Sequence, residues 1–160
     1  MEQDYVNIMI DSLQKKIVVL DAIIRKNEEQ NKIVMTENTD WDAFDKNADE
    51  KSELIDKIEE IDQGFDSLFK KVETVLQSPS GKQIYREQIT KMQKLITLIT
   101  EKSVAIQAAE ARNKILIEKR FTESHQRIGQ SRTSSKVARD YYRNMQQAQV
   151  VAPAFLDKKN

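Results

Sequence analysis

A heptad pattern that continues without a slip for about ten helical turns is the feature that most constrains how this chain folds. One stripe of residues recurs at alternating steps of three and four, and Leu54, Ile61, Leu68 and Val75 add a second stripe. The first stripe consists of Trp41, Phe44, Ala48, Lys51, Ile55, Ile58, Asp62, Phe65, Phe69, Val72 and Leu76. Such spacing places apolar side chains along one side of an α-helix. The pattern therefore predicts an antiparallel coiled coil or a long helical bundle.

Two further stretches have helical spacing. The first, about residues 4–35, carries Val6, Ile10, Leu13, Ile17, Leu20 and Ile24, and the same steps continue onto Asn27 and Asn31. The third, about residues 81–128, carries Tyr85, Ile89, Met92, Ile96, Ile99, Ser103 and Ile106, and later Leu116, Phe121 and Ile128. Thr39 with Asp42 and Ser80 with Gln83 have the spacing of capping boxes, which predicts helix starts there.

Composition supports a helical fold. Only three Gly and two Pro occur in 160 residues, too few for the frequent turns of a sheet-rich protein. Apolar residues recur through nearly the whole chain, which argues against disorder. We therefore predict an all-α protein. We predict that residues 1–130 form an elongated antiparallel three-helix bundle or a helical-hairpin coiled coil, whose helices cover about residues 4–35, 40–77 and 81–128. Folding about Pro79 would place residue 40 opposite about residue 118.

The last thirty residues, 131–160, have a different pattern. It predicts a Ser- and Thr-rich linker followed by a short amphipathic C-terminal helix. Val137, Tyr141 and Met145 are spaced by four, with Ala138 and Tyr142 beside them. A helix this short is marginal alone in water, so its apolar face must dock on the bundle or on a partner. A second apolar cluster, 150–156, contains Pro153, past which the helix cannot continue.

Polar residues interrupt the apolar stripes at Asn27, Asn31, Lys51 and Asp62. Buried polar groups at such positions can fix the register between helices. Alternatively, these stretches have no partner helix on that side, and a bundle with uncovered stripes would offer grooves to another amphipathic helix.

Several chemistries lack the residues they need. The chain has no Cys and one His, which leaves little for a metal site of nitrogen and sulfur ligands or for a nucleophile–base pair. Three isolated Gly cannot form a phosphate-binding loop. We expect no enzymatic activity, no metal and no cofactor. No apolar run approaches the roughly 20 residues of a membrane helix, so we expect a soluble intracellular protein without membrane insertion.

Charge is distributed unevenly although the formal net charge is zero. Residues 1–80 hold 10 Lys and Arg against 19 Asp and Glu, and the second half has the opposite balance. The two halves could neutralise each other in the bundle, or the basic half could bind an acidic partner. Nine basic residues between 112 and 143 would suit phosphate contacts. The neutral chain and the lack of a known nucleic-acid module argue against that function, and we expect no nucleic-acid partner.

Residues 40–72 resemble the FlgN family, the bacterial flagellar export chaperones for hook-associated junction proteins. Asp40 and Trp41 precede the second helix, and Glu50, Lys51, Leu54 and Ile55 match the family's E-K-x-x-L-[IL] run. The order of parts is also similar: two helices, a Ser/Pro/Gly turn, a longer third helix and a tail with an amphipathic segment.

The resemblance implies a cytoplasmic type III export chaperone. Such a protein would bind the C-terminal helices of hook–filament junction proteins and deliver them to the export gate. It would place client contacts at Val137, Ala138, Tyr141, Tyr142 and Met145, with Tyr141 or Tyr142 as the gate-docking candidate. A structural coiled-coil adaptor, a homodimer and a filament-cap-type flagellar chaperone remain as alternatives.

Overall fold

The computed structural model describes the backbone of residues 1–127 and the side chains of residues 1–124. Four helices follow one another in this part of the chain: α1 (Glu2–Met35), α2 (Trp41–Gln77), α3 (Pro79–Ile84) and α4 (Arg86–Arg127). Residues 1–127 contain no strand, and the prediction of an all-α protein is confirmed. The predicted linker and C-terminal helix, 131–160, lie outside the described residues.

The helix starts differ from those predicted. Asp40, not Thr39, caps α2, because its Oδ1 accepts the Ala43 amide at 3.1 Å, while Thr39 donates its hydroxyl to the Thr36 carbonyl. Ser78, not Ser80, caps α3, with its Oγ accepting the Gly81 amide at 3.0 Å. Ser78 has the advantage that Pro79 follows it, since proline is favoured at the first helical position, where no amide hydrogen bond is lost. The predicted third helix is also divided, because the helical backbone breaks at Tyr85.

Helix α1 packs against both α2 and α4. Its contacts with α2 run in opposite chain directions, since Lys16 pairs with Asp62 and Lys26 with Glu50. Its contacts with α4 run in the same direction. Asp21 pairs with Lys102 at 2.6 Å, and further along, the carbonyl of Val34 accepts from Arg120 at 2.8 Å. Trp41 of α2 reaches Ser124 of α4, within about two turns of the predicted alignment at residue 118.

The stripe predicted for α2 is the buried side of that helix. Nine of its eleven residues are buried, and Trp41 and Asp62 are half-buried. The stripe predicted for α1 is partly wrong, because Lys16 and Ile23 are buried where Ile17 and Ile24 were expected and these two are only half-buried. The Lys16 ammonium pairs with the Asp62 carboxylate, which satisfies a charge at a position where the spacing rule favours an apolar residue.

The buried apolar residues form two separate cores. The larger core joins α1, α2, the α3–α4 junction and α4 from Val6 to Ile106. The smaller core contains Val34, Phe44 and Ile117, with Trp41 and Phe121 packed against it. Between the two cores each of the three long helices contributes buried polar side chains.

No helix within residues 1–127 has a stretch both long enough and apolar enough to cross a membrane.

Candidate functional site

The residues predicted from the sequence to contact a client, Val137, Ala138, Tyr141, Tyr142 and Met145, lie outside the described residues. The candidate surfaces of residues 1–127 are formed by the helices themselves. Two of these surfaces lie beside the buried polar side chains that separate the two cores. They are a groove between α1 and α4 and an exposed apolar face on α4.

An ion pair lies at the centre of the buried polar side chains. Lys51 of α2 places its Nζ 2.8 Å from Oε1 of Glu110 on α4, and the same ammonium donates to Oε1 of Gln30 on α1 at 3.0 Å. Lys51 and Gln30 have no exposed surface and Glu110 has 6%. One ammonium thus joins the three long helices at a single level.

Amide side chains complete this level, which we call the polar layer: Asn27, Gln30, Asn47, Lys51, Glu110 and Asn113. Asn113 donates to the Asn27 carbonyl at 3.0 Å and to Oε1 of Gln30 at 3.2 Å, and it accepts from Asn31 at 3.1 Å. Asn47 donates to the Lys26 carbonyl at 3.0 Å. These bonds connect α1 to α4 and α2 to α1. The polar layer therefore specifies the register of the helices, that is, which residues of neighbouring helices lie side by side.

Burial shifts both ionisable groups of the layer towards their neutral forms. It lowers the pKa of Lys51 to about 8, against the opposing effect of the Glu110 charge. It raises the pKa of Glu110, against the opposing effects of the Lys51 charge and hydrogen bonds from Lys51 and Asn27. Desolvation is the largest cause in both cases, as expected for charges enclosed by packed helices.

The sequence left open whether the polar residues of the apolar stripes are buried between helices or lack a partner helix, and the structure decides this for two of them. Asn27 and Lys51 are 2% and 0% exposed and face other helices, so the alternative that they lack a partner helix is wrong. The sequence reasoning missed Glu110 and Asn113. Extending the α4 stripe beyond Ile106 by the same steps of four and three would have reached both of them.

An open groove lies beside the polar layer, between α1 and α4, with a volume of about 460 Å³. Its floor and walls include small and amide side chains, Ala105, Ala109, Asn27 and Asn31, and its rim carries Arg112. Small residues on one wall let a second backbone approach closely. A groove between two long helices can therefore receive an extended or helical segment.

The exposed apolar face of α4, here called the outer face, consists of Val104, Ala108, Ala111 and Ile115. Steps of four, three and four align these residues on one side of the helix. Val104 is 60% and Ile115 69% exposed, and both alanines are exposed. Ile106 and Ile117, which are 1% exposed, lie on the opposite side of the same turns. At this level α4 thus has buried residues on one side and exposed apolar residues on the other.

The small core closes the end of the structure where α1 finishes. Trp41 stacks on Phe121 with ring centroids 4.4 Å apart, and its Nε1 donates to Oγ of Ser124 at 3.0 Å. Phe44 meets both rings edge to face. Trp41 and Phe44, the first two residues of the predicted α2 stripe, thus pack against α4 at this end. Arg120 donates to the carbonyls of Val34 and Met35, which satisfies the end of α1.

Within residues 1–127 no group of three or more carboxylates or imidazoles is placed to hold a metal ion. The charged groups of the polar layer bond to each other inside the bundle.

Comparisons of the chain with protein-family models, curated proteins and solved structures gave no match. The fold and its surfaces define the class of protein: an all-α protein with an open groove between α1 and α4 and an apolar outer face on α4.

Proposed function

We propose that the protein is a cytoplasmic export chaperone of the type III flagellar system. In this proposal it binds the C-terminal helices of hook–filament junction proteins and delivers them to an export-gate component. It is not an enzyme, and it takes no cofactor. The resemblance of residues 40–72 to the FlgN family suggests this role, and the groove between α1 and α4 is the structural observation that carries it.

The groove supports the proposal because it has the properties that helix recognition requires. It lies between α1 and α4, and its lining residues cover about 12 Å of each helix, from Ile24 to Lys32 and from Ala105 to Asn113. Its alanines leave room for a helix backbone, and the half-buried Ile24 lines it with apolar surface. Helices that dock in such grooves bind through an apolar face and keep their polar face in water.

The finer architecture belongs to the same proposal. It comprises an elongated antiparallel three-helix bundle followed by a linker and a short amphipathic helix within residues 131–160. The face formed by Val137, Tyr141 and Met145, with Ala138 and Tyr142, contacts the client. Tyr141 or Tyr142 docks at the gate. A client must be released on export, and a segment that becomes ordered on binding lowers the net affinity for its contact area.

Capture of a client fragment tests the proposal. The probe is the C-terminal helical fragment of a hook–filament junction protein, titrated into the full chain by calorimetry. We expect binding that is weakened at least about tenfold by Ala105→Arg, because the new side chain fills the groove while Ala105 is exposed and outside the core. A triple change of Val137, Tyr141 and Met145 to Ser should weaken it similarly.

The matched control is Gln107→Arg, which adds the same side chain to an exposed position of α4 that does not line the groove. Absence of binding to the fragment by the full chain would refute the chaperone role. Binding unaffected by both the groove and the tail variants would remove the proposed contact surfaces. A concentration-dependent oligomer by sedimentation, without client binding, would support the homodimer or coiled-coil adaptor instead.

A further inference from the structure

The outer face of α4 has no partner helix among residues 1–127, since α1 packs on the opposite side of α4 and Lys51 of α2 contacts Glu110 on that side. Its four apolar residues extend over twelve positions, or eleven helical steps, from Val104 to Ile115. At 1.5 Å per residue the face is about 16 Å long. Burial of two large aliphatic side chains and two alanines would be favourable, so an occupant of matching length is expected.

The size of the face indicates what kind of occupant it suits. A stable complex of separate chains buries about 800 Å² on each partner, contributed by some twenty residues. Four side chains on one helix are far below that requirement. A segment tethered to the same chain needs much less contact, because a short linker gives it an effective concentration in the millimolar range. The occupant is therefore best sought within the chain.

The chain supplies a segment of suitable length. Thirty-three residues, 128–160, follow Arg127, and among them Val150–Leu156 is a run of apolar residues. Pro153 prevents an α-helix from continuing through this run. In an extended conformation its seven residues span about 20 Å, which matches the length of the outer face.

The connecting residues have the reach to place it there. Ile115 lies twelve residues before Arg127, about 18 Å back along α4. If residues 137–149 form the helix that their spacing predicts, they cover about 20 Å in the reverse direction. Residues 128–136, which contain Gly129 and four serines or threonines, are sufficient for the reversal. Val150 then comes to the level of Ile115, and the run continues towards Val104.

Charge is compatible with this placement. Residues 144–156 contain no Asp, Glu, Lys or Arg, so no charge of the segment would be desolvated on the face. The exposed Arg112 and Lys114 flank the face without opposing any like charge in the segment.

We propose that the C-terminal segment Val150–Leu156 docks on the outer face of α4 formed by Val104, Ala108, Ala111 and Ile115. This contact is internal to the chain and does not depend on the proposed chaperone function.

Disulfide trapping tests the proposal directly, because the natural chain contains no cysteine. Ala108→Cys is combined with Ala154→Cys in the full chain, because the extended run brings Ala154 closer to the level of Ala108 than to that of Ala111. Oxidation is followed on non-reducing gels at several protein concentrations. We expect an intramolecular disulfide that forms at least about tenfold faster than in the control pair, at a rate independent of concentration. The control combines Ala154→Cys with Glu53→Cys, an exposed position of α2 on the side away from its buried stripe.

A second comparison uses two equally exposed isoleucines. Ile115→Arg in the Ala108/Ala154 cysteine pair should slow trapping to the control rate. Ile84→Arg should leave the rate unchanged, because Ile84 is equally exposed at 69% but lies on α3, outside the outer face. Equal trapping rates in the test and control pairs would overturn the proposal. Disulfides formed only between chains would overturn it in favour of a second copy on this face.

Discussion

Lys51 and Glu110 form an ion pair that three helices enclose, at positions of the heptad pattern where apolar residues would pack well. Removing two charges from water costs several kcal/mol per ion, and their attraction only offsets this cost. The pair is therefore poor evidence of high stability. Its distance of 2.8 Å and the hydrogen bond from Lys51 to Gln30 instead make one arrangement of the helices far better than others.

Breaking the pair on one side should be more damaging than removing it entirely. We expect Lys51→Met to lower the free energy of unfolding by about 3–5 kcal/mol, because the Glu110 carboxylate stays buried without its partner. The double variant Lys51→Met/Glu110→Leu should recover most of this loss. Urea unfolding followed by circular dichroism measures both. A double variant less stable than Lys51→Met would contradict the prediction.

The lowered pKa of Lys51 gives stability a defined pH dependence. Its pKa is about 8 in the folded chain and takes the ordinary value of 10.5 when unfolded. Between these values the unfolded chain binds more protons, so the folded state gains stability as the pH rises. We expect the free energy of unfolding of the natural chain, relative to Lys51→Met, to increase from pH 8 to pH 10.5. A constant or decreasing difference in urea unfolding would show that the pKa is not lowered.

Among the helices, the apolar pattern predicted α2 more accurately than α1. The stripe of α2 contacts neighbours through nearly every predicted residue, so spacing and burial coincide. In α1 the aliphatic residues Ile17, Val18, Val19, Ile23 and Ile24 offer several stripes of similar quality. Packing selected the one that passes through Lys16, because Asp62 on α2 is placed to neutralise its ammonium. That choice depends on a contact between helices, which the spacing within one helix does not contain.

Gly64 and Gly81 both lie in helices, and replacing each by alanine compares an open helical position with a crowded position near the α2–α3 turn. A Cβ added at Gly64, within α2, would meet nothing within 4 Å, whereas a Cβ at Gly81 would overlap the carbonyl group of Val75. We expect Gly64→Ala to raise the free energy of unfolding by about 0.5–1 kcal/mol through helix propensity. Gly81→Ala should lower it by about 1–3 kcal/mol, because the α2–α3 turn must move. Thermal or urea unfolding of the two variants compares them, and equal effects would contradict this account.

Over the full length of the bundle, the polar layer separates a large apolar core from a small one. Val34, Phe44 and Ile117 are the buried residues of the small core, compared with seventeen in the large core. Regions with few buried apolar contacts open at lower free energy than the rest of a protein. The end that contains Trp41 should therefore unfold before the remainder.

Trp41 is the only tryptophan of the chain, so its fluorescence reports on that end alone. We expect the fluorescence transition in urea to have a lower midpoint than the helical transition followed by far-ultraviolet circular dichroism. Replacing the central pair by Lys51→Met/Glu110→Leu should bring the two midpoints closer together, because two apolar side chains then extend the contact between the cores. Coincident transitions in the natural chain would show that the layer does not divide the molecule.

The sequence allowed the helical class, the helix lengths and the approximate pairing of Trp41 with the end of α4 to be predicted. It did not allow the groove or the outer face to be predicted, because both depend on which side of α4 meets α1. The α4 stripe resumes after Ile106 with Glu110 and Asn113, which look like surface residues until their partners on α1 and α2 are known. The predicted client contacts at residues 137–145 stay a prediction.

The position of Lys51 also has a consequence for how the chain reaches its fold. Heptad repeats tolerate misalignment, since displacing α1 by seven residues along α2 again matches apolar residues with apolar residues. In such an arrangement Lys51 would lie at the level of Ile23 rather than Gln30, and its ammonium would have no acceptor there. A single buried cation thus makes the displaced alignment less stable than the native one, and it selects one of several matches that the repeat alone would allow.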